Sequence, residues 1–376
     1  MIYFHIPFCK QACHYCDFHF TTSLKYKEDL LLALHKELAA RSHYIEDRRI
    51  HSIYFGGGTP SILEASEIQQ IIDQVARHFD IDSQAEITME ANPDDLTSEK
   101  TNALRQTSIN RFSIGIQSFF EEDLLWMNRA HNAQEADTAI KRVQDAGFEN
   151  ITCDLIYGYP LLSNEKWSSN INKLIQLEVP HISSYAMTVE QRTALAHQIK
   201  SGKTPAILDE QAEVQMQMLM ETLTSHGYEH YEISNFAKNG SYAIHNTNYW
   251  KGKHYLGIGP SAHSYNGVSR SWNIANNAKY MAALQDNTSY QEVEQLSLID
   301  SYNEYIMTSL RTMWGVELRE IEERFGTDLQ SHFLREITLF VEQQKVQSEP
   351  NGSYKLTREG KLFADFIASE LFFIPK

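Results

Sequence analysis

The regular alternation of strands and helices through the first half of the chain constrains the fold more than any other feature of the sequence. Six apolar, strand-like runs are predicted, and a helical pattern follows each of the first five. Such alternation is typical of a parallel sheet, because parallel strands need crossover helices and those crossovers are right-handed. The predicted fold class is therefore α/β with a curved, barrel-like sheet. The predicted strands are 2–6, 50–55, 85–91, 111–119, 150–160 and 181–190.

The second half of the chain is less regular. A long helix is predicted near Leu208–His226, and "HNTNYWKGKHYLGIGPSAHSY" (His245–Tyr265) is interpreted as loops and short strands. From about Asp300 the pattern changes to helices with one short hairpin, which indicates a small winged-helix-like module. We therefore predict three parts: a partial barrel over 1–235, a loop-rich extension that closes it over 236–299, and a C-terminal module over 300–376.

Composition limits the classes of partner and the compartment. The 376 residues carry a net charge of −16, and so acidic a surface disfavours nucleic acid as a partner. No run approaches the roughly 20 apolar residues that a membrane helix needs. The segment before the cysteines lacks a basic leader, so we expect no signal peptide and a cytoplasmic protein. Because cytoplasmic thiols stay reduced, clustered cysteines there indicate metal or redox chemistry.

Three of the four cysteines lie within "FCKQACHYCDF", at Cys9, Cys13 and Cys16. A structural zinc site takes four ligands, and an iron–sulfur cluster normally takes four cysteines. Three cysteines holding a cluster would leave one iron open to a small molecule, and the spacing favours that interpretation over zinc. Zinc stays open as an alternative, and its fourth ligand could be His5, His14, His19 or Cys153.

The glycine-rich segment "GGGTPS" (Gly56–Ser61) ends the second predicted strand. Glycines permit close approach of backbone to a ligand, and free N–H groups can bind it. In βα barrels the chemistry lies at the carboxyl ends of the strands. This segment, one βα unit after the cysteines, is therefore predicted to contact a ligand.

The cysteine loop resembles the signature of the radical S-adenosylmethionine (radical SAM) superfamily. That resemblance implies that the three cysteines hold a [4Fe–4S] cluster, whose fourth iron binds the amino and carboxylate groups of S-adenosylmethionine. It also implies that "GGGTPS" corresponds to the segment that contacts the methionine amine. The implied fold is a partial (β/α)6 radical SAM barrel with a smaller C-terminal helical domain.

A longer series of motifs narrows the resemblance. "YFHIPFCKQACHYCDF", "YFGGGTPS", "EANPDD", "FSIGIQSF", "NRAHN", "CDLIYGYP" and "YEISNFA" occur in one order. Together they are similar to the oxygen-independent coproporphyrinogen dehydrogenase (HemN-like) group, and most of all to its HemW, haem chaperone branch. Phe18 stands where the coproporphyrinogen enzymes carry a further cysteine, the segment before the first strand is short, and "HNTNY" fits the HNxxY pattern associated with haem.

The resemblance implies roles for individual residues. The cluster ligands would be Cys9, Cys13 and Cys16. The residues implied to bind S-adenosylmethionine are Tyr3, Tyr15, Gly57, Gly58, Thr59, Glu90, Gln117, Arg129, Asp154, Ala186 and His263. Haem contacts are expected at His245, Asn246 and Tyr249, and Trp250 and Trp272 could line a porphyrin face. Structural alternatives are that Glu90 and Asp154 cap helices, that Arg129 pairs with Glu121 or Glu122, and that Cys153 is a core residue.

Three functions follow as hypotheses. The first is a haem chaperone without dehydrogenase activity, which binds haem as cargo and delivers it to haem-requiring proteins such as respiratory enzymes. A homodimer and transient contacts with membrane proteins are further expectations of this hypothesis. The second is radical oxidative decarboxylation of coproporphyrinogen III. The third is a zinc-stabilised barrel without a redox cofactor.

Overall fold

The computed structural model describes residues 1–375, and its first part alternates strands with helices as the sequence predicts. This part also contains two short helices, Glu121–Trp126 and Ala194–Lys200, that the sequence analysis does not predict. The elements are β1 (Ile2–Ile6), α1 (Lys27–Arg41), β2 (Arg49–Gly57), α2 (Ala65–His78), β3 (Asp80–Ala91), α3 (Ser98–Leu104), β4 (Arg111–Gln117), α4 (Glu121–Trp126), α5 (Ala133–Asp145), β5 (Asn150–Tyr157), α6 (Asn164–Gln176), β6 (His181–Ala186), α7 (Ala194–Lys200), α8 (Asp209–Ser225), β7 (Glu229–Glu232) and β8 (Asn235–Ala237).

The central sheet has nine strands in the order β7-β8-β6-β5-β4-β3-β2-β1, with the short strand β9 (Leu256–Ile258) beside β1. Strands β1 to β6 are parallel neighbours in chain order, whereas β8 runs antiparallel to β6. Strands β7 and β9 form the two edges, so the sheet is an open, partial barrel. Pairing of Ile6 with Gly57 brings the cysteine loop directly beside the glycine segment.

Hydrophobic periodicity explains why these elements form. In α2 the buried residues are Ile68, Ile71, Ile72 and Val75, a spacing of three and four that places them on one face against the sheet. Each such aliphatic side chain contributes about 1.5–3 kcal/mol when it is fully buried. The strands of the barrel and the inner faces of its helices share one hydrophobic cluster.

The segment after β8 is more ordered than the sequence analysis predicts. It contains α9 (Ile244–Trp250), so "HNTNY" is helical and the prediction of loops there is wrong. The Glu86 carboxylate on β3 accepts hydrogen bonds from the backbone N–H groups of Ile244 and His245, both at 2.9 Å. This cap comes from a residue 158 positions away, so no local pattern could reveal it. The remaining elements here are β9, β10 (His263–Tyr265), β11 (Ser269–Asn273), α10 (Asn277–Asp286) and β12 (Gln291–Gln295).

The last part of the chain has its own hydrophobic cluster, which runs from Tyr302 to Leu371. It combines helices with a small three-stranded sheet, as we expect for a winged-helix-like module, and the last of its three strands pairs with both others. It attaches to the barrel where the Met313 N–H donates to Tyr231 O at 2.9 Å. Its elements are α11 (Leu298–Leu310), β13 (Val316–Glu317), α12 (Leu318–Phe325), α13 (Thr327–Glu342), β14 (Val346–Ser348), β15 (Ser353–Leu356) and α14 (Ala364–Glu370).

The helices of residues 1–375 include none that combines the length and the apolar character needed to cross a membrane. The longest, α8, has 17 residues and begins with the acidic pair Asp209 and Glu210. The helices of the structure thus agree with the expectation from the sequence, in which no apolar run is long enough for a membrane helix.

Candidate functional site

A cavity of about 450 Å³ opens at the carboxyl ends of the parallel strands, and we call it the barrel cavity. Most of the residues singled out from the sequence lie on its wall, although they come from six different strand ends, the loops that follow them and α9. Those residues are Cys9, Cys13, Tyr15, Cys16, Gly57, Gly58, Thr59, Glu90, Gln117, Arg129, Asp154, Ala186 and Asn246.

The cysteine loop follows β1 and is held against the glycine segment by backbone hydrogen bonds. The Gly58 N–H donates to Ile6 O at 2.9 Å, and the Thr59 N–H donates to Phe8 O at 2.7 Å. All three loop thiols are free and partly exposed. The Thr59 hydroxyl lies 3.5 Å from Cys9 Sγ, and its hydrogen bond favours anionic sulfur there.

None of the side chains proposed as a fourth zinc ligand lines the barrel cavity beside the three thiols, and each is placed by other contacts. His5 Nε2 lies 2.9 Å from His19 O, and His14 Nδ1 lies 2.8 Å from Trp126 O. His19 Nε2 is hydrogen-bonded to Asn277 Oδ1, and Cys153 is fully buried on β5, as its interpretation as a core residue predicts. Across residues 1–375, no three histidine, cysteine or acidic side chains converge closely enough to hold a single metal ion. The donor set therefore fits a three-thiol cluster better than a closed zinc site.

Two glycines pack so tightly against the cysteine loop that a side chain would not fit. Gly57 has a φ of +104°, and a Cβ there would lie 2.5 Å from His5 Nδ1. A Cβ on Gly58 would lie 2.7 Å from the carbonyl oxygens of both Ile6 and Phe8. These positions need glycine, because the first has a left-handed backbone and the second meets rigid backbone atoms.

Two carboxylates line the cavity together with the thiols. Glu90 on β3 accepts hydrogen bonds from the Tyr54 hydroxyl at 2.8 Å and from the Gly57 N–H at 3.2 Å. Burial, together with the charge of Asp154, raises the pKa of Glu90 to about 7. Burial likewise raises the pKa of Asp154 to about 6, although the Ser113 hydroxyl donates to it at 3.3 Å. Both lie within strands, so the alternative that they cap helices is wrong.

Arg129 connects the thiols to the rest of the cavity. Its Nη1 lies 3.3 Å from both Cys13 Sγ and the Tyr15 hydroxyl, and its Nη2 donates to Asn92 Oδ1 at 2.7 Å. Its Nε is buried and has no hydrogen-bond partner among the described residues. Arg129 therefore lines the barrel cavity with one buried donor that no described residue satisfies.

The alternative partners predicted for Arg129 are bound elsewhere. Glu122 pairs with Lys166 at 2.6 Å, and Glu121 accepts a hydrogen bond from the Ala133 N–H at 2.9 Å. The interpretation that Arg129 pairs with either glutamate on a local helix is therefore wrong.

Several cavity residues were missed by the sequence analysis. Asn92, Ser113 and Tyr54 all line the cavity and bind the residues just described. Asn92 could have been found from the strand period of two, because residues two apart, such as Glu90 and Asn92, point to the same face. Ser113 could have been found from strand pairing, because it lies beside Glu90 in the sheet. Strand register, which one sequence does not fix, is needed for the second inference.

Two residues implied to bind S-adenosylmethionine lie off the cavity wall. Tyr3 is on β1, and its hydroxyl lies 3.2 Å from His5 Nδ1. His263 is exposed on β10, and its ring stacks on Trp272 with centroids 6.1 Å apart. Neither side chain is among those that surround the barrel cavity.

Helix α9 separates the barrel cavity from a second one. His245 is buried, with Nδ1 2.9 Å from the Ser52 hydroxyl and its ring 5.0 Å from Tyr249. Asn246 faces the barrel cavity, whereas Tyr249 and Trp250 face the other side. The three residues expected to contact haem therefore do not converge on one cavity.

The other side of α9 borders a cavity of about 500 Å³, which we call the second cavity. One wall comes from the segment after α9 and from β10 and β11. The opposite wall comes from α11, α12 and the turn between α11 and β13. Residues of these walls include Tyr249, Trp250, Lys251, Lys253, Tyr255, Tyr265, Arg270, Glu304, Tyr305, Trp314, Glu317, Glu320 and Arg324.

Comparison with known families and proteins agrees with this geometry. Residues 3–174 match the radical SAM superfamily, and residues 296–363 match the HemN C-terminal domain. The chain is 31% identical to the heme chaperone HemW of Bacillus subtilis, covering 97% of each chain. It is 32% identical to the heme chaperone HemW of Haemophilus influenzae, over 99% of this chain and 97% of that one.

Among solved structures, the coproporphyrinogen III oxidase HemN of Escherichia coli has a TM-score of 0.85 against this chain. The likeness covers 99% of this chain and 89% of that one, at 21% identity. At that identity the likeness shows the fold alone: a radical SAM barrel followed by a C-terminal helical domain.

Proposed function

This chain belongs to the HemW family of radical SAM proteins, and from that premise we propose that it is a haem chaperone. It binds a [4Fe–4S] cluster and S-adenosylmethionine in the barrel cavity, and it carries haem to haem-requiring proteins. The observation that carries the cluster proposal is the set of three thiols around one cavity, whose wall includes none of the candidate fourth protein ligands.

The cluster is held by Cys9, Cys13 and Cys16 in this proposal. When bound, it supplies an open iron that can take the amino and carboxylate groups of S-adenosylmethionine. Arg129 and Thr59 support the thiolates by donating hydrogen bonds to sulfur at 3.3 Å and 3.5 Å. Such donors stabilise the negative charge that thiolates bring into a partly buried site.

The rest of the cavity orients S-adenosylmethionine. Gly57, Gly58 and Thr59 let the ligand approach the backbone, while Glu90 accepts a hydrogen bond from the methionine ammonium or the ribose. Asp154, Gln117, Tyr15 and Ala186 complete the wall in this proposal. The two carboxylates with raised pKa values favour a cation, because a positive charge restores the ionised forms that burial disfavours. Binding of S-adenosylmethionine by Tyr3 and His263 stays a prediction, because neither side chain lines the cavity wall.

Haem is the cargo. Asn246 and Tyr249 each face a cavity, and either can contact a bound ring. His245 Nδ1 is held by the Ser52 hydroxyl, and Nε2 is buried without a hydrogen-bond partner among the described residues. Nε2 could ligate iron only if the ring, which has 1% of its surface exposed, became accessible. In this proposal, haem and S-adenosylmethionine need not bind to the same part of the chain.

The recipients of haem are haem-accepting proteins such as respiratory enzymes, and we propose that delivery takes place in the cytoplasm. Formation of a homodimer and transient contact with membrane proteins are parts of the same proposal. The boundaries at residues 235 and 299 also stay predictions.

Parallel assays test the chaperone proposal. The protein is purified without oxygen, its iron, sulfide and zinc are counted, and haem is titrated while the Soret band is followed. A second sample receives dithionite, S-adenosylmethionine and coproporphyrinogen III. We expect about four irons per chain, saturable haem binding and no protoporphyrinogen. Turnover of coproporphyrinogen without stable haem binding would contradict the proposal, and stoichiometric zinc in place of iron would contradict the cluster.

A further inference from the structure

The carboxyl end of β4 has an unusual backbone. Its last residue, Gln117, has a φ of +65°, in the left-handed region that residues other than glycine rarely adopt. The Ser118 N–H donates to Ile116 O at 2.8 Å, so residues 116–118 form a three-residue turn, which we call the β4 turn. A three-residue turn with positive φ is strained, and it persists only where the surrounding structure holds it.

Two side chains of the segment "NRAHN" hold the backbone at this turn. Arg129 Nη2 donates to Gly115 O at 3.0 Å, and His131 Nε2 lies 3.1 Å from Ile116 O. A carbonyl oxygen can only accept a hydrogen bond, so His131 donates from Nε2. The two side chains therefore hold successive carbonyls, and the buried His131 holds the one that begins the β4 turn.

The chain that follows the β4 turn is held by other groups. The Ser118 hydroxyl donates to Asp123 Oδ2 at 2.8 Å, and the Phe119 N–H donates to Asn170 Oδ1 at 3.0 Å. The strained residue thus lies between two anchored peptides. His131 anchors the first of them and Asp123 the second.

The β4 turn determines where two cavity side chains lie. Gln117 and Arg129 both line the barrel cavity. A Cβ on Gly115 would lie 2.9 Å from Gln117 Nε2 and 3.2 Å from Arg129 Nη2, so both side chains pack over the bare backbone of this glycine. Any shift of this backbone would therefore move both side chains, and displacements of this size reduce the fit of a ligand.

His131 suits this place because it donates a hydrogen bond without carrying a charge. Burial, together with the neighbouring charge of Arg129, lowers the pKa of His131 to about 3. The ring is therefore neutral at pH 7. A lysine or arginine at this position would place a second buried cation beside the Arg129 guanidinium.

We propose that His131 is a positioning residue of the S-adenosylmethionine site, which supports the strained β4 turn and thereby keeps Gln117 and Arg129 in place on the cavity wall. The inference rests on the proposed binding of S-adenosylmethionine and adds a residue to that site. His131 is not among the described side chains that surround the barrel cavity, so its effect passes through the backbone of β4.

The test uses the whole chain with its cluster reconstituted, and isothermal titration measures the affinity for S-adenosylmethionine. His131→Gln keeps a neutral N–H donor at a similar distance from Cβ, whereas the amide of His131→Asn is one methylene too short and His131→Phe has no donor. We expect affinity to fall about tenfold in His131→Asn and His131→Phe, because Gln117 and Arg129 lose their support. His131→Gln should stay within about threefold of the parent chain. Equal affinities in His131→Gln and His131→Asn would overturn the proposal.

His230→Phe is the matched control. His230 Nε2 also lies beside a backbone carbonyl, Ile233 O at 3.0 Å, and burial also lowers the pKa of His230 to about 3. His230 does not line the barrel cavity. Both phenylalanine variants lose one contact between a ring and a carbonyl, so denaturant unfolding should show similar losses of stability. Only His131→Phe should weaken S-adenosylmethionine, and equal weakening in both variants would contradict a specific role for His131.

A double-mutant cycle shows whether the effect passes through the β4 turn. Glycine adopts positive φ without strain, so in Gln117→Gly the turn should form without support from His131. Adding His131→Phe to Gln117→Gly should therefore lower affinity by less than about twofold beyond Gln117→Gly alone. A further tenfold loss in that background would mean that His131 acts by another route.

The outcomes separate this inference from the proposed function. If the parent chain holds its cluster and binds no S-adenosylmethionine, the proposed use of the barrel cavity fails. If the parent chain binds it and the His131 variants bind equally well, only this inference fails. Iron and sulfide should stay at the level of the parent chain in every variant, because backbone bonds of Gly58 and Thr59 hold the cysteine loop. Loss of iron in the His131 variants would contradict a role confined to the β4 turn.

Discussion

The two cavities differ in which of their side chains lack a partner. The barrel cavity contains polar groups that the chain does not fully satisfy: two carboxylates with raised pKa values and the unpaired Nε of Arg129. The second cavity instead combines aromatic rings with two lysines that have no acidic partner in the described chain. The first is complementary to a charged, polar ligand, and the second to a flat, anionic one.

They also differ in how they are built. The barrel cavity is fixed by the register of one parallel sheet, which a single hydrophobic cluster supports. The second cavity depends on how the C-terminal helices attach to the edge strand β7. That attachment includes the Ile233 N–H to Arg311 O bond at 3.0 Å and Lys361 Nζ to His230 O at 3.1 Å. Perturbations should therefore reach one cavity without the other.

The largest expected effect is loss of the cluster. Cys13→Ala removes one of three thiols and the sulfur that Arg129 contacts, so we expect essentially complete loss of bound iron and of the visible absorption. Haem binding should persist, because the residues expected to contact haem, His245, Asn246 and Tyr249, lie on α9 and outside the cysteine loop. Iron and sulfide counts with haem titration measure both.

Cys153→Ala is the matched control, because that thiol is buried on β5 away from the loop. It should retain the cluster and lose about 1 kcal/mol of stability to the small void. Loss of haem binding in Cys13→Ala would show that the cavities are not independent.

The next largest effect is on stability. Arg41 on α1 forms a buried ion pair with Glu37, donates to Gly257 O at 3.0 Å and donates to the Ser271 hydroxyl at 2.9 Å. It thereby fixes the segment after α9, one wall of the second cavity, against the barrel. Arg41→Met leaves the carboxylate unpaired, so the free energy of unfolding should fall by about 3–5 kcal/mol. Denaturant unfolding measures it.

Arg319→Met supplies the comparison, since Arg319 forms an exposed i,i+4 pair with Glu323 on α12, with the base preceding the acid. Surface pairs contribute about 0–1 kcal/mol, so its stability should hardly change. Equal losses in the two variants would mean that the buried pair does not anchor the wall.

The difference between the cavities also explains what sequence could predict. Hydrophobic period, cysteine spacing and the glycine segment are local signals, so they identified the six parallel strands, the helices between them and most of the barrel cavity wall. Strand ends in a parallel sheet meet at one edge, and this rule brought Cys9, Glu90 and Asp154 together without any distance being known.

The second cavity could not be predicted in the same way. Its walls come from two segments, residues 249–270 and 301–324, that meet only when two hydrophobic clusters pack, and single residues such as Trp314 carry no pattern. The helical state of "HNTNY" was missed for a related reason, since Glu86 caps it from β3. Side chains that act across such distances become visible only in the fold.

A smaller effect is expected at Glu90. Glu90→Gln removes the charge that faces the ammonium of S-adenosylmethionine, so affinity should fall about tenfold at pH 8. The parent chain should bind more tightly as the pH rises through about 7, because protonated Glu90 is neutral and must lose its proton to pair with a cation. Isothermal titration between pH 6 and 8 measures this.

In Glu90→Gln the affinity for S-adenosylmethionine should no longer change with pH near 7. Any change in affinity that persists near pH 6 would come from Asp154, whose pKa is also raised by burial. Haem binding should be unaffected. An unchanged pH profile in Glu90→Gln would remove Glu90 from contact with the ligand.

The smallest effects come from α9, where one helix faces both cavities. Asn246→Ala removes an amide from the barrel cavity, and Tyr249→Phe removes a hydroxyl from the second cavity. Each loses one hydrogen-bonding group, so each should weaken its own ligand by about fivefold, or 1 kcal/mol. The ligand of the opposite cavity should bind as in the parent chain, which titrations of S-adenosylmethionine and haem can measure. If either variant weakens both ligands, α9 couples the cavities instead of separating them, and haem loading would then depend on S-adenosylmethionine.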